Sequence, residues 1–417
     1  MLAINCGSSS LKFRLSETPV ASPDAEETLA WGSVEGMGRR ATVDLATAEG
    51  STLREAAEVA DHGAAVERVL GWLGEHGLAG TIEAVGHRVV DGGSRFAAPT
   101  RVDDDVVAAI EELGELAPLH NGPALAAIGA TRDALGPAVP MVATFDTTFH
   151  RQMPEKASRY AIPPELAERH GAFRYGFHGL AHRYMAERYA EITSTSEAKL
   201  VTLQLGNGCS AAAIRDGRSV DTSMGLTPLE GLMMGTRSGD VDPSLAAYLA
   251  RRESVEVAEV VTWLNKRSGL LGLSGTSRDM RELLAARNRG DGRAALAVEM
   301  FCYRVKKQIG AYLAALGGAD AVVFAGGIGE RAFEVRAEIC SGMQWCGLVL
   351  DPERNAGAVG EETRISADDS SVAAYVIPVD EAAIIARDTV DCLLREGYTV
   401  EPAAAEREQP NGEFRRM

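Results

Sequence analysis

The stretch from Val201 to Pro243 restricts the fold of this chain more than any other part of the sequence. It begins as an alternating apolar and polar strand through Leu205, breaks at Gly206-Asn207-Gly208, and resumes in small residues to Ile214. This pattern predicts a hairpin with a glycine-rich tip. Asn-Gly at such a tip tolerates positive φ and leaves backbone N–H groups free to face an anion.

The segment 225–239 that follows carries four glycines and a proline among its leucines and methionines, which excludes an ordinary core helix. We expect such a segment to wrap closely around a ligand or another part of the chain. Arg237 and Asp240 lie among these glycines. Because glycines have no side chain, a cation in this segment can approach a phosphate or carboxylate closely. A structural glycine-rich loop with a surface arginine is the alternative.

The N-terminus repeats the same theme over Leu2–Leu15, as a strand, a Gly/Ser turn and a second strand. Aligning Gly7 with Gly206 places the two hairpins about 200 residues apart, which suggests a duplicated domain. Lys12 and the serines of the first tip suit a phosphoryl group, and Asn5 could hold a metal-bound water. A polar surface turn is the competing interpretation.

Composition limits the class of protein. The 417 residues are 46% hydrophobic and 24% charged, enough for two domains with separate cores. The formal charge of −17 argues against a nucleic-acid or anionic-membrane surface. The six cysteines lack zinc-site spacing, and neither a signal peptide nor a run of 18 apolar residues is present, so we expect a soluble cytoplasmic protein with reduced thiols.

Several polar residues are expected where strands or helices end, which is where catalytic groups often lie. Helix capping and structural histidines are the alternatives for Asp146 and His120. The candidates are Arg88 after a strand and before a glycine pair, His120 in a turn, Asp146 after the strand 139–145, His178 at the start of a helix that reaches Ile192, and Glu381 at the junction of a strand and the last helix.

Two further segments could contact a nucleotide. Residues 268–281 form an apolar loop that leads to Arg278, Asp279 and Arg281, and residues 321–330 form a buried strand, a glycine-rich turn and a helix start. A Walker P-loop is excluded because the sequence has no Gly-Lys dipeptide. A dinucleotide fingerprint at Gly206-x-Gly-x-x-Ala211 fails because the Asp216-Gly217 turn comes too soon for the required helix.

These motifs, taken together and in order, closely resemble the acetate kinase family. They are Asn5-x-Gly-Ser-Ser-Ser-Leu-Lys12, Gly86-His-Arg-Val-Val90, Ala117-Pro-Leu-His-Asn121, Phe145-Asp-Thr147, Arg174-Tyr-Gly-Phe-His-Gly179, Leu205-Gly-Asn-Gly208, all of 221–243, and Gly326-Gly-Ile-Gly-Glu330. The resemblance covers nearly the whole chain, and the segment 221–243 is specific by itself.

The resemblance implies an α/β fold of two facing ribonuclease-H-like domains of the actin-type ATPase class, with ATP in the interdomain cleft. Residues 1–150 would form the first domain, joined by the C-terminal helix 381–397, residues 151–380 the nucleotide-binding second domain, and 398–417 a loose tail. The family's reaction converts ATP and acetate reversibly into ADP and acetyl phosphate with Mg²⁺, in a homodimer.

Site residues follow from the same resemblance. Arg88 and Arg237 would hold the acetate and the transferring phosphoryl group, His178 would steady its oxygens, Asp146 would orient nearby groups, and His120 would support the site. Asn5 and Glu381 would position Mg²⁺. The acetate methyl would meet Val90, Leu119, Phe177 and Pro228. The nucleotide-binding residues would be Lys12, Gly206, Asn207, Gly208, Asp279, Met280, Arg281, Gly326, Gly327, Ile328 and Gly329.

The sequence also departs from the family pattern. Gln204 and Asp91 stand where histidines are common, and Arg278 replaces a small residue. Because Gln204 carries no charge, we expect weaker phosphate binding rather than loss of activity. A propionate or butyrate kinase of the same family, or a non-catalytic actin-type nucleotide-binding protein, remains open as an alternative.

Overall fold

The computed structural model describes residues 1–18, 26–38, 40–114, 121–399 and 415–416. Leu119 and His120 lie outside the described residues, as does most of the tail after residue 399. The described strands are β1 Leu2–Cys6, β2 Ser10–Glu17, β3 Glu27–Glu35, β4 Arg40–Thr47, β5 Thr52–Glu58, β6 Val85–Val89, β7 Thr100–Arg101, β8 Met141–Phe145, β9 Lys199–Leu205, β10 Cys209–Arg215, β11 Arg218–Thr222, β12 Ala321–Ala325, β13 Thr363–Arg364, β14 Ala373–Val376, β15 Tyr398–Thr399 and β16 Arg415–Arg416.

Helices occupy most of the remaining described chain, and several start where a side-chain cap is available. Asp61, Asp103 and Asp380, for example, each accept a hydrogen bond from a backbone N–H of the first turn that they precede. The α-helices are α1 His62–Glu75, α2 Asp104–Leu113, α3 Asn121–Leu135, α4 Glu155–Ser158, α5 Pro164–His170, α6 Gly179–Thr193, α7 Pro243–Glu253, α8 Val257–Lys266, α9 Gly269–Ser274, α10 Met280–Asn288, α11 Gly292–Leu316, α12 Gly326–Arg331, α13 Phe333–Cys340, α14 Pro352–Gly357 and α15 Glu381–Arg395.

The first of two structural units comprises Met1–Thr148 and Asp380–Met417. Its eight-stranded sheet has the order β5-β4-β3-β2-β1-β6-β8-β7, with β1, β6 and β8 parallel. Helix α15 packs on these three central strands. Gly86 allows this approach, because a Cβ there would collide with Ile385 and Thr389.

The second unit, Phe149–Val379, is built on a six-stranded sheet of order β11-β10-β9-β12-β14-β13. Strands β9, β12 and β14 are parallel, and the long helix α11 packs on β9 and β10 through a buried apolar face. The strands at the centre of this sheet are almost wholly buried, and β12, Ala321–Ala325, is accordingly a continuous apolar run.

The two sheets share one strand order, as the paired hairpins in the sequence suggest. Six strands of the first sheet, β3-β2-β1-β6-β8-β7, correspond to the whole of the second, with three antiparallel strands followed by two parallel strands and an antiparallel strand. In the first sheet, β4 and β5 extend the antiparallel part by two strands. Both predicted hairpins are confirmed, with Cys6 paired with Leu11 and Leu205 paired with Cys209. The second tip is therefore one residue shorter, so β10 is shifted by one position relative to β2.

Three local predictions were wrong. Arg88 lies inside β6 rather than after it, because parallel pairing with both β1 and β8 extends the strand to Val89. The segment 268–281 is not a continuous loop, since α9 forms within it. The run Gly326–Gly329 is not a separate turn but the beginning of α12, because Glu330 accepts a hydrogen bond from the Gly326 N–H and closes the first turn.

Two general features concern the whole described chain. All six cysteines lie within it and are free thiols. None of the helices in the described ranges combines the length and apolar character required to cross a membrane.

Candidate functional site

In the first unit, Arg88 is the centre of a cluster of polar side chains. Its Nε and Nη2 donate to the two carboxylate oxygens of Asp146 at 3.1 and 2.6 Å, and its Nη1 donates to Asn5 Oδ1 at 2.9 Å. The Nδ2 of Asn5 in turn donates to Glu381. The sequence predicted these four residues separately, and the register of β1 and β6 brings them together by pairing Asn5 with Arg88.

The Arg88 guanidinium is fixed in position and compensated in charge. Its side chain is 11% exposed, and that of Asp146 is fully buried. Burial works to lower the pKa of Arg88, but the Asp146 and Glu381 carboxylates outweigh it and raise that pKa. Described hydrogen bonds use three of the five guanidinium N–H groups. Two donors therefore stay available, and Asp146 holds them in a constant direction.

Asn5 and Glu381 were predicted to position Mg²⁺. The described residues contain no group of three or more histidine, cysteine or acidic side chains that could hold a metal by themselves. This donor set still fits a magnesium ion that is bound mainly by phosphate and water, since such ions need only one or two protein carboxylates. Glu381 supplies one carboxylate beside the amide of Asn5.

In the second unit, Arg237 has the opposite electrostatic environment. Its Nη1 contacts only the Pro228 carbonyl oxygen, at 3.1 Å, and the Met234 sulfur, at 3.5 Å, among the described residues. Burial lowers the pKa of Arg237. The neighbouring Cys209 thiol gives no counter-charge at neutral pH, because burial raises its own pKa to about 12. Asp240 does not pair with Arg237 and instead accepts a hydrogen bond from the Gly231 N–H.

The glycine-rich segment after β11 wraps around the tip of the β9–β10 hairpin. The Gly235 N–H donates to the Asn207 carbonyl at 2.9 Å, and a Cβ at Gly235 would collide with the Asn207 side chain. At the tip itself, a Cβ on Gly208 would lie 3.4 Å from the His178 ring and 3.5 Å from Arg237 Nη1. The tip therefore brings His178 and Arg237 against one glycine.

His178 is held at the N-terminal end of α6 in an unusual backbone conformation. Its φ of 57° is in the left-handed region, which non-glycine residues rarely adopt. The carbonyl of the preceding residue, Phe177, accepts from Nε2 of the buried His150 at 3.2 Å. The Nδ1 of His178 is 2.8 Å from Ser210 Oγ. Backbone and ring are thus both anchored.

Three buried residues behind His178 were not predicted. His182 lies 2.8 Å from Ser210 Oγ through Nε2 and 2.8 Å from Thr202 Oγ1 through Nδ1. All three of these side chains are fully buried. The one available signal was the spacing of His178 and His182, which places both rings on one face of a helix.

The remaining predicted residues fall in varied surroundings. Val90, Phe177 and Pro228 are buried. Asp279 caps α10 and pairs with the highly exposed Arg281, whereas Met280 is buried. Lys12 is exposed and lies in β2. The other predicted contacts lie at a turn or a helix start: Asn207 and Gly327 are exposed, Gly206, Gly208 and Ile328 are partly buried, and Gly326 and Gly329 are buried.

The three departures from the family pattern also differ. Arg278 is exposed. Gln204 pairs with Ser210 across the β9–β10 hairpin, and its buried Oε1 has no hydrogen-bond partner among the described residues. Asp91 is fully buried, its Oδ1 accepts from the Gly93 N–H at 2.7 Å, and burial raises its pKa to about 6.

Fold and site define a two-unit α/β protein with guanidinium groups placed to receive anions. The sequence matches the model of the acetokinase family over residues 1–387. The chain belongs to the acetokinase family, which confirms the family expected from the motifs.

Similar proteins agree over nearly the full chain. The chain is 47% identical to an acetate kinase of Solibacter usitatus, in an alignment covering 95% of this chain and 99% of the relative. The crystal structure of Porphyromonas gingivalis acetate kinase matches with a TM-score of 0.84 at 42% identity, covering 94% and 99% of the two chains. A propionate kinase from Francisella tularensis matches with a TM-score of 0.86 at 39% identity, covering 94% and 98%. The expected fold class, α/β with two actin-type ribonuclease-H-like domains, is confirmed.

Proposed function

We propose that this protein is an acetate kinase, which transfers the γ-phosphoryl group of ATP reversibly to the carboxylate of acetate and forms acetyl phosphate and ADP. Membership of the acetokinase family supports this reaction. The observation in the molecule that carries the proposal is the partly buried Arg237 guanidinium, which has no carboxylate partner among the described residues. An uncompensated cation of this kind is suited to an anionic ligand.

Acetate needs no general base in this reaction. Its carboxyl group has a pKa near that of Asp and Glu side chains, so it is ionised at neutral pH and can attack directly. The main obstacle is electrostatic repulsion between the carboxylate and the phosphoryl oxygens. A pair of unit charges at about 4 Å costs roughly 4 kcal/mol at an effective dielectric of 20. Preorganised cations remove this cost.

The two arginines would divide this work. Arg88, oriented by Asp146, would bind the acetate carboxylate with its two remaining N–H donors. Arg237 and His178, both beside Gly208, would bind the oxygens of the transferring phosphoryl group. Because Arg88 is already compensated, Arg237 would contribute most of the net positive charge.

Magnesium and the nucleotide complete the proposed reaction. When bound, Mg²⁺ would neutralise phosphate charge, and Asn5 and Glu381 would orient its water ligands. The tip 206–208, the start of α12 at 326–329, the residues 279–281 and Lys12 would contact ATP. His120 would support the site, and the acetate methyl would meet Val90, Leu119, Phe177 and Pro228. We further propose that the protein forms a homodimer, as the family resemblance implies, and that it is located in the cytoplasm. The free thiols support the cytoplasmic location.

Propionate is the second candidate substrate, since a Francisella tularensis protein named propionate kinase matches with a TM-score of 0.86. One methylene changes specificity by only about 1 to 3 kcal/mol in an apolar pocket. Small changes in the pocket could therefore reverse the preference between the two acids.

Trapping of the acyl phosphate tests the proposal directly. The purified protein is incubated with ATP, Mg²⁺ and hydroxylamine, with acetate, propionate or butyrate in parallel, and the hydroxamate is measured. We expect the highest rate with acetate. A higher rate with propionate would correct the substrate alone. Nucleotide binding without hydroxamate from any of the three acids would refute the kinase and favour a non-catalytic nucleotide-binding protein.

A further inference from the structure

The hydrogen-bonded chain behind His178 determines which ring nitrogen of His178 carries a proton. We propose that Thr202, His182 and Ser210 are positioning residues that hold His178 as the neutral tautomer protonated on Nε2. One part of this proposal rests on the proposed function, namely that His178 binds the phosphoryl group. The direction of the chain follows from the described contacts alone.

Thr202 is the buried end of this hydrogen-bonded chain of side chains. Its hydroxyl is fully buried, and its hydrogen-bond partner among the described residues is Nδ1 of His182 at 2.8 Å. If that nitrogen carried the proton, the threonine hydroxyl hydrogen would be buried without an acceptor, which is disfavoured by about tenfold or more. Thr202 therefore donates, and Nδ1 of His182 accepts.

The number of hydrogens on each group determines the direction of the next two hydrogen bonds, from His182 to Ser210 and from Ser210 to His178. A neutral imidazole has one N–H, so His182 carries its proton on Nε2 and donates it to Ser210 Oγ at 2.8 Å. His182 is neutral because its complete burial lowers its pKa well below the usual value. The single hydroxyl hydrogen of Ser210 is then donated to Nδ1 of His178, also at 2.8 Å.

An imidazole that accepts at Nδ1 cannot be an imidazolium, so its single hydrogen lies on Nε2. Two further features disfavour a charged ring. His178 caps the N-terminal, positive end of the 15-residue helix α6, and Arg237 Nη1 lies beside the same glycine as the His178 ring. The ring edge containing Nε2 is the edge next to Gly208, so the N–H is presented on the side of Arg237.

The consequence for the reaction is a division of roles. Arg237 would supply charge to the phosphoryl oxygens, whereas His178 would supply a directed neutral N–H without adding charge or losing a proton. The three buried residues would act through His178, since the contacts that join them to the site pass through its Nδ1.

The test is a tautomer measurement that needs neither ATP nor acetate. In protein labelled with ¹⁵N-histidine, two-bond nitrogen–proton correlations distinguish a protonated nitrogen from an unprotonated one in each ring. The His178→Gln spectrum identifies the His178 signals by their loss. At pH 7.5 we expect Nδ1 of His178 to be unprotonated and Nε2 protonated. A His178 that is doubly protonated, or protonated on Nδ1, overturns the proposal without any variant.

Thr202 offers a matched pair of variants. Thr202→Val keeps the shape but removes the hydroxyl, and Thr202→Ser keeps the hydroxyl but loses the methyl group. We expect Val to bring the two His178 tautomers toward equal populations and to lower kcat about twofold or more, with KM values near those of the parent protein. Ser should restore both readouts. If packing were responsible instead, Val would resemble the parent protein and Ser would not.

Ser210→Ala cuts the chain next to His178 and should lower kcat about tenfold or more, because the ring loses its anchor. An unchanged His178 tautomer spectrum in both Ser210→Ala and Thr202→Val contradicts the proposal. If the parent protein forms no hydroxamate, the proposed kinase activity fails, but the spectra still decide the state of His178.

Discussion

Replacing Arg237 by methionine should separate its functional from its structural contribution. Methionine fills most of the volume of the arginine stem but lacks the guanidinium Nη1 that contacts the Pro228 carbonyl oxygen and the Met234 sulfur. The replacement removes a partly buried charge that has no carboxylate partner among the described residues, together with one hydrogen bond to a backbone carbonyl. Activity and stability are therefore expected to change in opposite directions.

The expected loss of activity follows from the charge. A guanidinium about 4 Å from a phosphoryl charge is worth roughly 4 kcal/mol at an effective dielectric of 20, or about a thousandfold in rate. Water that enters the space left by the guanidinium would restore part of this electrostatic stabilisation. We therefore expect kcat to fall at least about a hundredfold, the scale of one lost charge-stabilising group.

The expected effect on stability has the opposite sign. Burial of an uncompensated cation costs free energy in the folded state, so its removal should leave the melting temperature unchanged or raise it. The measurements are initial rates of hydroxamate formation and thermal unfolding of the ligand-free protein. Arg218→Ala, at an exposed position of β11, is the control and should change neither.

Near-normal turnover in Arg237→Met would refute the anion-binding role of Arg237. A loss of turnover accompanied by a large fall in melting temperature would show that Arg237 is structural, and the reasoning from its uncompensated charge would be wrong.

Two further predictions concern one residue in each unit, Asp91 in the first and Gly208 in the second. Asp91→Asn should raise stability at pH 8 by up to about 3 kcal/mol but hardly at pH 4, as measured by denaturant unfolding. The folded pKa of Asp91 is raised to about 6 from 3.8, so its stabilising proton is fully present below pH 3.8 and is lost as pH rises through 6; an equal gain at both pH values would contradict this sign. Gly208→Ala should lower kcat about tenfold or more, because its Cβ would lie in van der Waals contact with His178 and Arg237 and occupy the space beside them that the proposed phosphoryl group needs. Gly310→Ala, which has open space in α11, is the control and should be neutral or stabilising; equal effects of both would remove the steric argument.

Much of the fold could be predicted because it follows from local patterns. Both glycine-tipped hairpins and the strand and helix that meet at Glu381 were predicted from hydrophobic periodicity and turn residues alone. The errors occurred where neighbouring elements decided the outcome. Pairing on both sides extended β6 through Arg88, and a side chain four residues further along closed the first turn of α12 at Gly326.

The site shows the same limit at the level of side chains. Arg88 and Arg237 were predicted as equivalent cations, yet Asp146 compensates one of them, whereas the other has no described counter-ion. Asp91 was noted only as a departure, although its complete burial gives it an altered pKa. The sequence contains the charge of each side chain but not its distance from the others.

The sequence by itself therefore determined most of the strands and helices, the glycine tips and the family, since these depend on residues close together along the chain. Only the tertiary structure decided the electrostatic surroundings of the two arginines and the hydrogen-bond partners of His178 and His182. Ser210 and Thr202 come from adjacent strands and meet His178 and His182 of a separate helix only after folding. Burial makes those hydrogen bonds energetically important, because a buried polar group that has no water must form its hydrogen bond within the protein.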